Sequence, residues 1–338
     1  MWKLQGHGAL IQRLDRSVRE GRYAHAYLIA GPSQVGKATL ALDLARALNC
    51  RSREEMPCGT CTQCQRISAG QHADVRVLSL ESRPEGASRT EIGIDEIREV
   101  QHQANLKPYE GSHRVFIVDG AEHMSEQAAN ALLKTLEEPP QQVVIVLLTS
   151  EESALLATVR SRCRRLELRP MAVPLVARFL VEHRSTEQSQ ADRLARLSMG
   201  RLGWAISALE EPALEEEHRK DVERVAGLST GELDARFAYA AEIATQHFGN
   251  RARARESLNT WLRWWRDLLL VTAGAREFVY HEEWMESLEA QASQLNSRQV
   301  TEVIRSLLDK LDALEDNANP RLALEVLMLG LPSQSGGS

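Results

Sequence analysis

The sequence contains no apolar run long enough to cross a membrane. Its longest run, Val143 to Leu148, is far shorter than the roughly 20 residues that a spanning helix needs. The first residues, Met1 to Gly6, also lack the apolar core of a secretion signal. We therefore expect a cytoplasmic protein.

The chain also lacks an excess of positive charge and has few cysteines. Its formal net charge of −6 argues against a protein that binds nucleic acid over its whole surface, although it does not exclude a local basic groove. Four of the five cysteines lie between Cys50 and Cys64, and in a reducing compartment this clustering favours metal ligation over disulfides. The length of 338 residues is enough for two or three domains.

Strand patterns stop at Pro170. Before it, short apolar runs alternate with helical patterns, which predicts a parallel sheet with right-handed crossovers. After it, periodic Leu, Ala and Trp positions predict only helices, and we interpret the tryptophans near residue 264 as core rather than as base-stacking residues. The predicted organisation is a nucleotide-binding-type α/β domain, a small helical domain, a larger helical domain and a flexible tail, over residues 1–168, 169–208, 209–332 and 333–338.

A candidate phosphate-binding loop follows the first predicted strand, Ala24–Ala30. Its spacing is Gly31-x4-Gly36-Lys37, and an alanine- and leucine-rich helical pattern comes next. The glycines allow the backbone to approach phosphate oxygens closely, the helix N-terminus adds positive potential, and Lys37 would reach the β- and γ-phosphates. The loop either holds nucleotide phosphates or is a relic that binds nothing.

Two positions depart from the pattern of an active ATPase. Ala38 stands where a Ser or Thr hydroxyl would coordinate Mg²⁺, and Thr39 lies about 100° further around the helix. Asp119 ends a predicted buried strand and can help to hold Mg²⁺ or simply cap a turn. Gly120 follows it instead of an acid, and Glu122 is too far along to serve as the base. We expect self-catalysed hydrolysis to be absent or very weak.

The cysteines have the spacing Cys50-x7-Cys58-x2-Cys61-x2-Cys64. Four thiolates can close a tetrahedral Zn²⁺ site that leaves no position for a substrate, so we predict a structural zinc that fastens a loop. An iron–sulfur cluster, free buried cysteines and a redox role are the alternatives.

Arginines are concentrated in Arg160-Ser161-Arg162-Cys163-Arg164-Arg165. This segment is either a solvated basic turn or a site for bidentate binding of phosphate or carboxylate. A guanidinium that reaches the γ-phosphate on a neighbouring subunit would be an arginine finger.

Several segments together resemble the delta-prime family of bacterial DNA polymerase III clamp-loader subunits, which belongs to the AAA+ ATPases. The matching segments are His25-Ala26-Tyr27-Leu28, Asn130 to Pro140, Ser161-Arg162-Cys163, the four cysteines, and Asn319 to Glu325. The resemblance implies an AAA+ P-loop sheet domain with an inserted zinc module, a small helical lid domain and an all-helical collar domain. It also implies that Arg162 is the finger, that Thr149 occupies the sensor 1 position, and that Gly203 replaces the second-sensor arginine, although Arg201 lies nearby.

The departures indicate which type of clamp-loader subunit this is. The similar motor subunits, gamma and tau, carry Lys-Thr or Lys-Ser and Asp-Glu where this chain has Lys37-Ala38 and Asp119-Gly120. The resemblance therefore implies a non-hydrolysing stator with doubtful ATP binding of its own, which presents Arg162 to ATP on a neighbour. It also implies that the chain forms a hetero-oligomer with gamma or tau and with delta, and that this complex acts on the sliding clamp and primed DNA. The alternatives are an active motor subunit and an independent zinc-containing nucleic-acid-binding protein.

Overall fold

Two units, Met1–Ala205 and Ile206–Ser338, make up the chain in the computed structural model. None of the helices in the described residues is both long and apolar enough to span a bilayer. The predicted domain boundaries at residues 168 and 208 remain predictions. Pro84, Gly86 and two serines predict a loop over residues 81–89; this segment and the predicted tail lie outside the described residues. The structure describes residues 1–52, 54–80, 91–249, 251–315 and 318–332.

The first unit is built on a five-stranded parallel sheet with the strand order β2-β3-β4-β1-β5. Ala30 lies opposite Thr149, and Asp119 lies opposite Leu148, so the central strands end at one edge of the sheet. This arrangement confirms the predicted parallel sheet and brings the candidate nucleotide residues to the ligand-binding edge. The strands are β1 Ala26–Ala30, β2 Val75–Leu78, β3 Arg114–Asp119, β4 Val143–Thr149 and β5 Arg164–Glu167.

Helices cover both faces of this sheet because its strands alternate between two apolar faces. Tyr27 and Ile29 pack with α1 and α2, whereas Ala26 and Leu28 pack with α4 and α5. The helices are α1 Gly8–Arg19, α2 Lys37–Asn49, α3 Thr62–Ser68, α4 Ile94–Ala104, α5 Glu126–Glu137, α6 Ala157–Arg160, α7 Val173–Arg184, α8 Gln188–Ser198 and α9 Leu202–Glu210, whose last residues belong to the second unit.

In the sequence, the periodic apolar positions Ile97, Val100 and Ala104 predict a helix that Asp95 caps, but α4 starts differently. Gly93 occupies the cap position and Asp95 lies in the first turn. The carboxylate of Glu96 accepts a hydrogen bond from the Gly93 N–H over 2.7 Å. The acid in the third helical position therefore reaches back to the cap backbone, which leaves no need for an aspartate there.

The second unit is helical throughout its described residues. Trp261, Trp264 and Trp265 are completely buried in its core, which confirms that they are core residues and leaves no ring face for base stacking. The last helix begins with Pro320, as predicted, and Asn319 caps it. The helices are α10 Pro212–Thr230, α11 Leu233–Gly249, α12 Arg251–Thr272, α13 Met285–Ala292, α14 Ser297–Glu315 and α15 Pro320–Leu329.

Candidate functional site

The predicted strand, glycine loop and helix are all present: β1 ends at Ala30 and α2 begins at Lys37. Gly36 has a φ of +102°, a left-handed conformation that glycine adopts without strain. A Cβ atom on Gly31 would lie 2.2 Å from the carbonyl oxygen of Leu168. The loop therefore packs directly against the backbone that follows β5, and only glycine fits there.

The side chain of Lys37 is bound by its own loop. Only 8% of Lys37 is exposed, and its Nζ donates to the carbonyl oxygens of Gly31 over 2.6 Å and Pro32 over 2.9 Å. A third hydrogen bond, of 2.9 Å, goes to the Oγ of Ser150. An ammonium group has three N–H donors, so the protein already satisfies all of them. A phosphate would have to displace at least one of these contacts.

Two acids surround this lysine with negative charge. Burial lowers the pKa of Lys37, while Glu122 and then Asp119 act in the opposite direction and raise it. Asp119 lies at the end of β3, and the Oε1 of Glu122 accepts the Ser150 N–H over 3.0 Å. Lys37, Asp119 and Glu122 thus form one electrostatic cluster at the edge of the sheet.

The polar residues at the end of β4 differ in what they contact. Thr149 is fully buried, and its Oγ1 accepts the N–H of Glu151 over 3.0 Å. Its carbonyl accepts the N–H of Gly31 over 3.2 Å. Ser150, rather than Thr149, supplies the hydroxyl that contacts Lys37. The sequence analysis did not identify Ser150; its place directly after the apolar run of β4 was the available signal.

The first turn of α2 has no hydroxyl at the position where magnesium ligation needs it. Ala38 is exposed and Thr39 is half-buried one residue later. A methyl group cannot coordinate a metal ion. The geometry after the lysine is therefore that of a P-loop helix without its magnesium ligand.

A segment from the predicted lid region packs on the phosphate loop. The N–H of Gly203 donates to the carbonyl oxygen of Gln34 over 2.9 Å, and a Cβ atom on Gly203 would lie 2.6 Å from that oxygen. The position that the resemblance assigns to the second sensor thus contacts the loop through its backbone. The neighbouring Arg201 is buried and donates to the carbonyl of Ser198 over 3.0 Å.

The N-terminal segment also contacts the loop and is fastened by a buried aspartate that the sequence analysis missed. The N–H groups of Lys3 and Leu4 donate to the Oδ2 of Asp43, over 2.7 Å and 2.9 Å. Asp43 also pairs with Arg46, one turn further along α2. The Leu4 side chain lies 2.7 Å from where a Cβ atom on Gly36 would be. An apolar side chain therefore covers one side of the loop.

The four predicted cysteines form one cluster. The sulfur atoms of Cys50, Cys58, Cys61 and Cys64 all lie within 4.8 Å of one another. Tetrahedral zinc with Zn–S bonds of about 2.3 Å requires sulfur separations of roughly 3.8 Å. Gly59, with a φ of +77°, forms the tight turn between Cys58 and Cys61, which precedes α3. The cluster can hold a metal ion.

Backbone N–H groups point at two of the sulfur atoms in this cluster. The N–H of Cys58 points at the sulfur of Cys50 over 3.4 Å, and the N–H of Cys61 points at the sulfur of Cys58 over 3.3 Å. The Cys61 amide is the main cause that lowers the pKa of Cys58 to about 6, whereas burial raises the pKa of Cys64 to about 12. Four sulfur donors with amide support are typical of structural zinc sites.

Arg162 lies in the turn between α6 and β5, with about a third of its side chain exposed. Its Nη2 pairs with the Oε1 of Glu137 over 2.8 Å, and its Nη1 donates to the carbonyl of Thr158 over 2.9 Å and the hydroxyl of Ser161 over 3.4 Å. These partners belong to α5, α6 and the turn itself, not to the phosphate loop. The structure therefore groups the loop residues with Asp119 and Thr149 but places Arg162 in a separate cluster.

Arg165 has a different environment from Arg162. Its Nε pairs with Glu152 over 2.7 Å and its Nη1 with Glu167 over 3.1 Å. These surface ion pairs fit the interpretation of a solvated basic turn for this arginine.

Known proteins of the bacterial clamp loader are similar to this chain. The sequence model of the family described as "DNA polymerase III, delta subunit" matches residues 6–172. DNA polymerase III subunit delta' of Bacillus subtilis is 28% identical over 324 residues, which cover 95% of each chain. The delta' subunit of Escherichia coli is 36% identical over 58% of each chain. The chain is therefore similar to delta-prime subunits of the bacterial clamp loader.

Tau subunits match as well, but over a smaller share of their own length. The tau subunit of Bacillus subtilis is 27% identical over 96% of this chain, and the match spans 60% of tau. The similarity to delta' extends over nearly the whole chain. This similarity supports the predicted role of a clamp-loader subunit in DNA replication.

Proposed function

We propose that this chain is a clamp-loader subunit of the delta-prime type, a non-hydrolysing stator that supplies Arg162 to ATP bound on a neighbouring motor subunit. The observation that carries the proposal is an asymmetry. In the chain's own nucleotide site, Lys37 is bound by the protein and the magnesium ligand is missing. The guanidinium of Arg162, by contrast, lies partly exposed on another segment.

The chain's own site supports the first half of this proposal. All three donors of Lys37 are used within the protein, and Ala38 offers no oxygen to Mg²⁺. The lid segment at Gly203 contacts the loop through its backbone instead of an arginine side chain. ATP binding here would have to break several of these contacts, and bound ATP would lack a catalytic metal ligand.

The environment of Arg162 supports the second half. Its ion pair with Glu137 is partly exposed, and surface pairs of this kind stabilise a fold by only about 0–1 kcal/mol. The guanidinium can therefore exchange this partner for a phosphate at small cost. An arginine finger contributes about 10³- to 10⁵-fold to turnover where it operates.

The second unit supports assembly into a ring. Leu322, Val326 and Leu329 of α15 are exposed, and their spacing places them on one face of the helix. The opposite face, with Leu324 and Leu327, is buried in the core. We propose that the exposed stripe packs against neighbouring clamp-loader subunits in a hetero-oligomer. The proposed partners are gamma or tau and delta, together with the sliding clamp and primed DNA.

The four-cysteine cluster holds a structural Zn²⁺ in this proposal. Each ligand position is filled by the chain, so the metal would have no open site for a substrate. Its role would be to fasten the segment between α2 and α3.

The direct test of the finger is Arg162→Ala in a loader reconstituted with motor subunits, delta, clamp and primed DNA. The served site is the ATP site on the neighbouring motor subunit that Arg162 would complete. Hydrolysis there should fall by orders of magnitude, so the loader should lose at least the turnover of that site. Arg165→Ala is the matched control, because it removes the same charge from an arginine held by its own acids, and it should retain normal turnover. Unchanged DNA-stimulated turnover with Arg162→Ala would show that the finger assignment is wrong.

A further inference from the structure

Arg162 contacts an acidic residue, Glu137, that belongs to a different segment of the chain. Glu137 is the last residue of α5, which ends just before Pro139 and Pro140. The helix end fixes its position, since proline cannot continue a helix. Its carboxylate lies 2.8 Å from the Nη2 of Arg162, and half of its side chain is exposed. A finger and an acid on different segments are thus paired at the surface.

This pair turns the guanidinium toward its own chain. The Nη1 of Arg162 donates to the carbonyl of Thr158, and the Nη2 faces the carboxylate of Glu137. The carbonyl end of a helix also attracts a cation, so the end of α5 adds to the attraction. Bidentate binding of a phosphate uses two N–H groups of the same guanidinium. A γ-phosphate from a neighbour must therefore compete with Glu137 for Arg162.

We propose that Glu137 is a positioning residue that restrains Arg162 in the resting subunit. This inference rests on the proposed finger and adds a regulatory acid to it. The carboxylate holds the guanidinium against α5 and offsets part of its positive charge. When a neighbouring subunit brings ATP close, the phosphate replaces the carboxylate. Because the pair is exposed, the restraint is weak and reversible.

The test is Glu137→Gln in the reconstituted loader, which removes the charge and keeps the size of the side chain. The readout is the Arg162-dependent turnover, which is the turnover of a loader with Arg162 minus that of a loader with Arg162→Ala. This difference is measured once in the parent chain and once in the chain that also carries Glu137→Gln. We expect this turnover to rise about two- to fivefold, which corresponds to about 0.4–1 kcal/mol. The rise should occur in kcat with little change in KM, because a finger acts mainly in the transition state.

Glu138→Gln is the matched control. Glu138 is adjacent and exposed, and within the described part of the chain its side chain forms no ion pair with Arg162. It should leave turnover unchanged. The effect of Glu137→Gln should also shrink toward none as salt rises, since salt screens exposed pairs. A purely structural role of Glu137 would not give this salt dependence, and thermal unfolding of both variants should match the parent.

The outcomes separate the two proposals. If Arg162→Ala lowers turnover but Glu137→Gln leaves it unchanged or lowers it, the restraint is wrong and the finger stands. If both Gln variants raise turnover equally, surface charge in general is responsible and the restraint is again wrong. If Arg162→Ala has no effect, the proposed function fails and the restraint fails with it.

Discussion

At the scale of single residues, two cationic side chains have different environments in the two clusters. Lys37 is a buried cation with three contacts to its own loop, whereas Arg162 is a partly exposed cation with replaceable contacts. Burial lowers the pKa of Lys37, and nearby acids oppose this effect. We therefore propose that Lys37 is a structural residue of the loop and that Arg162 is the cation that meets another molecule.

A stability measurement checks this interpretation of Lys37. Lys37→Met keeps much of the side-chain length but leaves the carbonyls of Gly31 and Pro32 and the hydroxyl of Ser150 without their donor. A part-buried hydrogen bond stabilises a fold by about 0.5–1.5 kcal/mol, so the loss of three should lower the free energy of unfolding by about 1–3 kcal/mol in a denaturant titration. Lys3→Met, at an exposed lysine, is the control and should change stability by less than about 0.5 kcal/mol. An unchanged stability for Lys37→Met would show that the three contacts contribute nothing.

At the scale of elements, α2 connects the nucleotide loop to the cysteine cluster. Lys37 begins the helix, and Cys50 follows its last residue, Asn49. Between them, Asp43 holds the N-terminal segment, and Arg46 donates to Ser68 of α3 over 3.2 Å. A metal that fastens Cys50 to α3 would therefore also fasten the end of this helix.

Metal removal tests the cluster. We expect the purified chain to contain zinc by mass spectrometry and its unfolding temperature to fall when a chelator removes the metal, because metal affinity contributes to folding stability. Cys64→Ser should lose the metal and unfold at a lower temperature. Cys163→Ser, outside the cluster, should keep both the metal and the stability. Absence of metal, or equal metal content in both variants, would contradict the zinc assignment.

The elements also show what the sequence could and could not predict. The strands around Ala30, Asp119 and Leu148 were predictable because buried parallel strands are continuous apolar runs. The cysteine cluster was predictable from its spacing. Ser150 and Glu137 were not identified, because their roles depend on which segments the fold brings together. No local pattern records that an acid at the end of α5 meets an arginine after α6.

At the scale of the whole molecule, each unit exposes a feature that can meet another subunit. The first unit presents the pair of Arg162 and Glu137, and the second presents an apolar stripe on its last helix. A stripe of exposed leucine and valine at helical spacing is typical of a face that packs against another chain. We therefore propose that the second unit mediates assembly and that the first unit supplies Arg162 to a neighbouring subunit.

Assembly tests the stripe. The double change Leu322→Gln and Leu329→Gln should weaken association with motor subunits about tenfold or more, since each leucine contributes about 1–2 kcal/mol when buried. Leu308→Gln, at an exposed leucine of α14 outside the stripe, is the control and should assemble normally. The measurement is the dissociation constant between each variant and the motor subunits, obtained by sedimentation. Normal association of the double variant would exclude α15 from the interface.

The central claim is the asymmetry between the chain's own site and the site that it completes on a neighbour. DNA-stimulated ATPase of the reconstituted loader, measured side by side with Lys37→Met and Arg162→Ala, tests it most directly. The account predicts that Lys37→Met keeps turnover within about twofold, while Arg162→Ala removes the turnover of the served site. The reverse pattern, with turnover lost in Lys37→Met and kept in Arg162→Ala, would mean that the chain is itself a motor.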